Sequence, residues 1–183
     1  MPDYLIDAGV SRFTVRGFAS GLLSGLGHNP VVAIRGFTGD ARWDPEAPAQ
    51  AHLRLVILAA TLAVQNDMSE KDRREMERGM QDEVLEISRY PEIVFESTAV
   101  SAVKGNGPVR VNIDGNLTLH GFTRPQSLPA QLAPMGDILR ANGEFTLRQT
   151  DYRIKLASVA GGALKLKDEL KFTFDIVARR KSE

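Results

Sequence analysis

Val109-Arg110-Val111-Asn112-Ile113-Asp114-Gly115-Asn116-Leu117-Thr118-Leu119-His120 is the stretch that decides the fold. Its branched and aliphatic residues fall on alternate positions, with Arg110, Asn112, Asp114, Thr118 and His120 between them. Side chains of a strand point to opposite faces with a period of two, so this spacing buries one face and wets the other. Elsewhere in the chain Phe13 and Val15 alternate with Arg12, Thr14 and Arg16, and Leu53, Leu55 and Ile57 make another apolar face. Ile93 and Phe95, Phe145 and Leu147, and Leu170, Phe172, Phe174 and Ile176 repeat the pattern. Turn formers separate these runs at Gly25-Leu26-Gly27-His28-Asn29-Pro30, Asp44-Pro45-Glu46-Ala47-Pro48, Gly105-Asn106-Gly107-Pro108, Asn142-Gly143 and Gly161-Gly162. The pattern predicts about eight strands.

One segment departs from it. From Ser69 to Arg89 the chain is dense in charge, free of proline and rich in helix formers, with Met76, Met80, Val84 and Ile87 at helical spacing. This predicts one amphipathic helix over 69–89. Ser69 is placed to cap it, with Asp72 three residues on facing the unpaired N–H groups of the first turn. Tyr90-Pro91 is placed to stop it, because the residue before a proline is pushed toward extended geometry. Strands, one helix, then strands do not make alternating βαβ units, so the fold class is mainly β, an antiparallel sheet with the helix as lid or side cover. Such strands close as a barrel or stack as a sandwich, and closure is favoured because it removes exposed edges.

The 183 residues carry 23 Lys+Arg against 23 Asp+Glu, a net charge of +0, with no cysteine. That length reads as a single domain over 1–183 with a sizeable core. Balanced charge argues against a nucleic-acid partner. The lack of cysteine removes disulfide scaffolds, thiolate zinc sites and thiol nucleophiles together. No window approaches the roughly 18 apolar residues of a spanning helix, so no transmembrane segment is expected. Met1-Pro2-Asp3-Tyr4-Leu5-Ile6-Asp7 has neither a basic start nor an apolar run, and this reading places the protein in the cytoplasm unless a leader has been removed.

Asn116-Leu117-Thr118-Leu119-His120-Gly121-Phe122-Thr123-Arg124-Pro125 resembles the Leu-Thr-Leu-x-Gly-x-Thr-Arg-Pro segment of the YceI-like family, small proteins described as lipid or polyisoprenoid binders. Further matches follow in that family's order: Tyr4-Leu5-Ile6-Asp7, Ser11-Arg12-Phe13-Thr14-Val15, Gly27-His28-Asn29-Pro30, Phe37-Thr38-Gly39-Asp40 and Tyr90-Pro91-Glu92-Ile93-Val94-Phe95-Glu96-Ser97-Thr98. The resemblance implies an extended, lipocalin-like antiparallel barrel whose apolar lumen accepts a long isoprenoid chain. The chain departs from the family in carrying Val10 where a histidine often precedes the first-strand serine, and in its longer, more charged helix.

The inward positions carry the functional expectation. Phe13, Val15 and Ile34, then Leu55 and Phe95, face either a packed core or a ligand cavity, as do Val111, Ile113, Phe145, Phe172 and Phe174. An eight-stranded barrel is the size at which both outcomes occur. With the resemblance, the reading is non-catalytic binding of a long-chain isoprenoid or fatty lipid for carriage or storage. Its rivals are a side-chain-filled barrel acting as an interaction or stress-response module, and an enzyme using His28. Gly25-Leu26-Gly27-His28-Asn29-Pro30 lacks the third glycine and the following helix of a dinucleotide loop and reads as a turn. At its rim His28 and Asn29 suit an anionic head group, and Arg124 offers a guanidinium fork. His120, if it continues the alternation, points out of the lumen. His28, His52 and His120 share no metal-ligand spacing, and Ser24 lacks the glycine a nucleophile elbow needs. No metal, cofactor or catalytic residue is therefore expected, and a homodimer is left open. Trp43 reads as a strand-end plug whose indole N–H finds a nearby acceptor.

Overall fold

The alternating runs become neighbouring strands in a computed structural model that describes residues 1–20, 29–103, 107–159 and 164–181, so that Ser24 and His28 lie outside the described residues. In chain order the strands are β1 (Asp3–Ile6), β2 (Arg12–Arg16), β3 (Ala19–Ser20), β4 (Val31–Ile34), β5 (Phe37–Arg42), β6 (His52–Leu58) and β7 (Leu62–Val64). The helix α1 (Glu70–Gly79) follows, then β8 (Glu92–Val103), β9 (Val109–Leu119), β10 (Phe122–Met135), β11 (Ile138–Arg148), β12 (Ser158–Val159), β13 (Leu164–Leu166) and β14 (Glu169–Arg180). Eight of them close an antiparallel barrel in the order β1-β5-β6-β8-β9-β10-β11-β14, with β14 pairing back to β1. The fold is mainly β, as the periodicity predicts. No helix among the described residues is long and apolar enough to cross a membrane.

The seam of the barrel lies along β14. Its C-terminal part pairs with β1, from Ile6 opposite Ala178 to Tyr4 opposite Arg180, and its earlier part pairs with β2, where Phe13 stands opposite Phe174. Between the two, Ser11 keeps the ladder satisfied. Its Oγ donates to the Asp7 carbonyl at 2.7 Å and accepts from the Val177 N–H at 2.9 Å. Strands β4 and β7 extend the wall from β2. The outer edge of β7 meets α1 instead of another strand: the Val64 N–H donates to Glu77 Oε1 at 2.8 Å, and Arg73 donates to the Asn66 carbonyl at 3.2 Å. The helix therefore covers the free edge of β7, and its side chains satisfy backbone groups that a strand would otherwise pair.

The helix is shorter than its sequence pattern. Ser69 caps it as expected, its Oγ accepting from the Asp72 N–H at 3.1 Å, but α1 passes at Met80–Val84 into a π-turn and stops there. The chain reverses at Glu86, whose φ is +47°, so Ile87 falls outside the helix and Tyr90-Pro91 is not the stop. A tertiary contact accounts for the early end. Glu86 Oε2 lies 2.7 Å from His120 Nε2, and His120 Nδ1 lies 3.1 Å from the Tyr152 carbonyl oxygen. The hydrogen bond from His120 also holds the Glu86 carboxyl below the usual carboxylate range. His120 itself, with φ +51°, and Gly121, with φ +74°, form the two-residue β9–β10 turn. Left-handed geometry at both positions matches the twist of the flanking strands.

One expected turn is not a turn. Asn142-Gly143 lies inside β11, and the hairpin reverses instead at Gly136-Asp137, where Gly136 has φ +62°. Pairing along both neighbours, β10 and β14, outweighs the local preference of Asn-Gly.

Ion pairs tie neighbouring strands together: Asp7 accepts from Arg179 on β14 at 2.8 Å, Asp3 on β1 from Arg42 on β5 at 3.0 Å, and Asp175 on β14 from Arg140 on β11 at 2.9 Å and 2.7 Å. Each hydrogen bond from arginine lowers its partner's carboxyl below the ordinary value. A carboxyl depressed in the folded state binds its proton more readily when unfolded. These pairs thus support the fold above about pH 4 and release it as the pH falls further. Urea unfolding at pH 5 and pH 3 should show the lower midpoint at pH 3, with a smaller difference in Asp7→Asn. An unchanged difference in that variant would remove Asp7 from the account.

Candidate functional site: an apolar cavity inside the barrel

The barrel is not filled. A cavity of about 710 Å³ runs within it. Leu170 and Ala178, eight residues apart on β14, both line it, so it extends about 25 Å along that strand at ~3.3 Å per residue. Its volume is several times the ~150 Å³ of an engineered cavity that admits benzene, and within the ~300–1,000 Å³ of ligand pockets. The alternation that makes the strands also makes the cavity, because the inward positions are apolar with few exceptions, Gln126 on β10 among them, and the ring is wide enough that they do not fill it.

The structure brings Phe13, Val15, Ile34, Leu55 and Phe95 to the cavity wall, together with Ile113, Phe145, Phe172 and Phe174. Val111 is buried but packs instead in a second cluster with Tyr4, Trp43 and Leu132. The aromatic members form one network. Phe13 sits edge-on to Phe37, Phe172 and Phe174, each at 6.2 Å, while Phe145 and Phe172, paired across β11 and β14, stack at 4.7 Å. Met76, Met80 and Val84 add the helix to the lining.

The rim residues are placed differently. Asn29 is exposed and serves the backbone: its Oδ1 accepts from the Ala19 N–H at 2.9 Å, and its carbonyl accepts from Asn66 at 2.9 Å. Arg124 is exposed and donates to the Asp151 carbonyl at 3.1 Å. Neither is among the residues that line the cavity, and His28 lies outside the described residues. His120 is likewise absent from the wall, because it forms the β9–β10 turn and not because of strand alternation.

The charged groups the structure does bring there are ones the sequence pattern missed. Lys155 and Lys165, both exposed, border the cavity near β3 and β13, and Glu83 and Arg42 border it elsewhere. The Leu164-Lys165-Leu166 alternation held a faint signal of this; Lys155, between strands, held none. At the opposite end Tyr4 and Trp43, 5% and 3% exposed, pack in the second cluster. The Trp43 indole N–H has no hydrogen-bond acceptor among the described residues, contrary to the expectation that it would find one.

A closed eight-stranded antiparallel barrel around an elongated apolar cavity defines a barrel of ligand-holding dimensions. The comparisons with known proteins narrow this class. A YceI-like domain matches residues 4–178, and the chain belongs to that family. A UPF0312 protein of Shewanella baltica is 30% identical over 161 residues, covering 84% of this chain and 78% of that protein. Among solved structures, Burkholderia cenocepacia BcnA superimposes with a TM-score of 0.73 at 18% identity, over 94% of this chain and 98% of its own. A polyisoprenoid binding domain from Saccharophagus degradans, implicated in plant cell wall breakdown, gives 0.68 at 13% identity, over 99% and 100%. At such identities these two likenesses concern the fold.

Proposed function

We propose that this protein binds a long-chain apolar ligand, isoprenoid or fatty, inside the barrel, for carriage or storage and without catalysis. The observation that carries the reading is the continuous 710 Å³ apolar cavity. The structural neighbour described as a polyisoprenoid binding domain supports it from outside the chain. Each methylene moved from water into such a lumen contributes about 0.8 kcal/mol, so a long chain binds tightly with few polar contacts. Lys155 and Lys165, exposed at the border of the cavity, can hold an anionic or strongly polar head, while the apolar wall supplies most of the affinity.

The direct test is native mass spectrometry of the protein purified from its own host, where a copurifying lipid is expected. The variant test uses Ala141, which lines the cavity, and its outward neighbour Asn142. In Ala141→Phe the ring occupies the lumen, and affinity for a lipophilic dye should fall about tenfold or more. Asn142→Phe puts the same ring outside and should leave affinity unchanged. Equal effects of the two, or an empty protein that enhances no lipophilic dye, would sink the proposal.

A further inference from the structure

His120, in the β9–β10 turn, joins two stretches of the cavity wall that are far apart in sequence. On one side its Nε2 lies 2.7 Å from Oε2 of Glu86, the residue after Val84 and Leu85, which line the cavity. On the other its Nδ1 lies 3.1 Å from the carbonyl oxygen of Tyr152, two residues before Ile154, which lines it as well. Each stretch has a lining residue that is also exposed, Met76 on the helix side and Leu156 beyond Tyr152, so at both places wall and surface are the same residue.

The two partners set the state of the ring. A carbonyl oxygen and a carboxylate only accept, whereas a neutral imidazole carries one N–H and one lone pair. Both contacts are hydrogen bonds at once only when both ring nitrogens hold protons. The His120 side chain is 10% exposed, which leaves water little access to replace a lost partner. Other charged groups stand nearby, but it is the Glu86 carboxylate that bonds the ring. Arg89 takes the other oxygen of that carboxylate, Oε1, at 3.2 Å and lies over the Tyr90 ring, whose centroid is 4.7 Å from the imidazole. Arg153 lies over the ring of Phe122, and Arg124 is bonded to the carbonyl of Asp151. The Tyr152 phenol, pushed up by burial, stays neutral. When the imidazole loses a proton, the stronger acceptor, the carboxylate, keeps Nε2–H. The bare Nδ1 then faces a carbonyl oxygen, lone pair against lone pair.

We infer that His120 is a proton-dependent clamp on the cavity wall: as an imidazolium it ties the Glu86 and Tyr152 stretches together, and on losing a proton it lets go of the Tyr152 side, so that ligand passes in and out faster. The effect on passage rests on the lumen reading above; the clamp itself does not. Histidine changes charge between about pH 5 and 8, so the clamp is complete at acidic pH and is lost as the pH rises through that range.

Three measurements at pH 5.5 and pH 9 test it on the full chain. In nitrogen-15 spectra, His120 should show two slowly exchanging ring protons at pH 5.5 and Nε2–H alone at pH 9. The Arg153 and Ile154 amides, bonded to the Thr150 and Gln149 carbonyls, should lose about tenfold in hydrogen-exchange protection between the two, after correction for intrinsic rates. Bound N-phenyl-1-naphthylamine, a neutral apolar dye, should leave about tenfold faster at pH 9, the size expected for one hydrogen bond to a charged ring. His120→Asn keeps the turn, since asparagine tolerates the φ of +51° and Asn-Gly is a favoured pair there. That variant should release the dye at the faster rate at both pH values, although His28 and His52 are still present. Glu86→Gln should move the midpoint of the change to lower pH, because the imidazolium loses its counter-ion. A single ring proton on His120 at pH 5.5, protection that does not change with pH, or a pH dependence surviving in His120→Asn would overturn the clamp. Equal dye release at both pH values beside changing protection would overturn its control of passage. Should His120→Asn fail to fold, the ring protons of the unaltered protein and the midpoint in Glu86→Gln still decide. If the dye does not bind at all, the lumen reading fails, and the ring protons and amide protection judge the clamp without it.

Discussion

Replacing Phe13 by alanine should lower the unfolding free energy by about 3–5 kcal/mol, among the largest effects available from a single side-chain truncation. Phe13 is 5% exposed and sits edge-on to Phe37, Phe172 and Phe174, rings carried by β5 and β14. Their backbones are held in ladders on both sides, so they cannot close over the space the ring leaves. That space instead joins the existing cavity. The loss therefore contains the full transfer term of a phenyl group together with edge-on aromatic contacts worth up to about 1 kcal/mol each beyond their area. Against a typical domain stability of about 5–15 kcal/mol this takes roughly a fifth or more. Urea unfolding should show it as a lower midpoint at constant slope, while Leu58→Ala, at an exposed position on β6, should move stability by less than about 0.5 kcal/mol. A change below about 1 kcal/mol in Phe13→Ala would mean that the aromatic network does not brace the seam.

The fold was legible because its information is periodic. In β9, Val109, Val111 and Ile113 share a face with Leu117 and Leu119, and the pairing of Leu117 with Phe95 and Arg124 follows from that register. The helix was legible at its start, where Ser69 and Asp72 form a cap from four consecutive residues. Its end was not, since the reversal at Glu86 depends on His120, thirty-four residues away. The same distinction divides the candidate site. The lumen wall is a sum of local alternations and could be read, Val111 excepted. The polar groups bordering it depend on which loops the closed barrel gathers at each end. Asn29 and Arg124 looked like rim ligands by residue type, yet backbone partners claim them; Lys155 carried no local sign of where it would stand. Hydrogen-bond satisfaction is a property of the assembled neighbourhood, so the unpaired indole was not visible in the order of residues.

Gly143 and Gly79 should respond to the same substitution with opposite signs. Gly143 occupies an inward position of β11, between Ala141 and Phe145, and stands opposite Phe174 on β14. A methyl group there would collide with the Pro129 carbonyl oxygen, come within 2.7 Å of Phe174 Cζ and lie 3.2 Å from Ala130 Cα. Two of those neighbours are backbone atoms fixed by the β10–β11 ladder, and the third is a ring already in contact with Phe13. None can move without displacing a strand of the closed ring. The bare glycine is what lets the Phe174 ring lie over the sheet, a pairing Gly115 repeats beneath Phe95. Gly143→Ala should therefore destabilise the protein by about 2–3 kcal/mol, the upper range for overpacking a well-ordered wall. Gly79 ends α1 with helical dihedrals, φ −58° and ψ −42°, and an added methyl group would meet nothing within 4 Å. There the substitution only restricts the unfolded chain, and Gly79→Ala should stabilise by about 0.5–1 kcal/mol. Chemical denaturation of the two variants beside the parent tests both at once. If Gly143→Ala unfolds at the parent midpoint, the β10–β11 wall is loose enough to spread, and the cavity it bounds is adjustable in width, not set by the ladder.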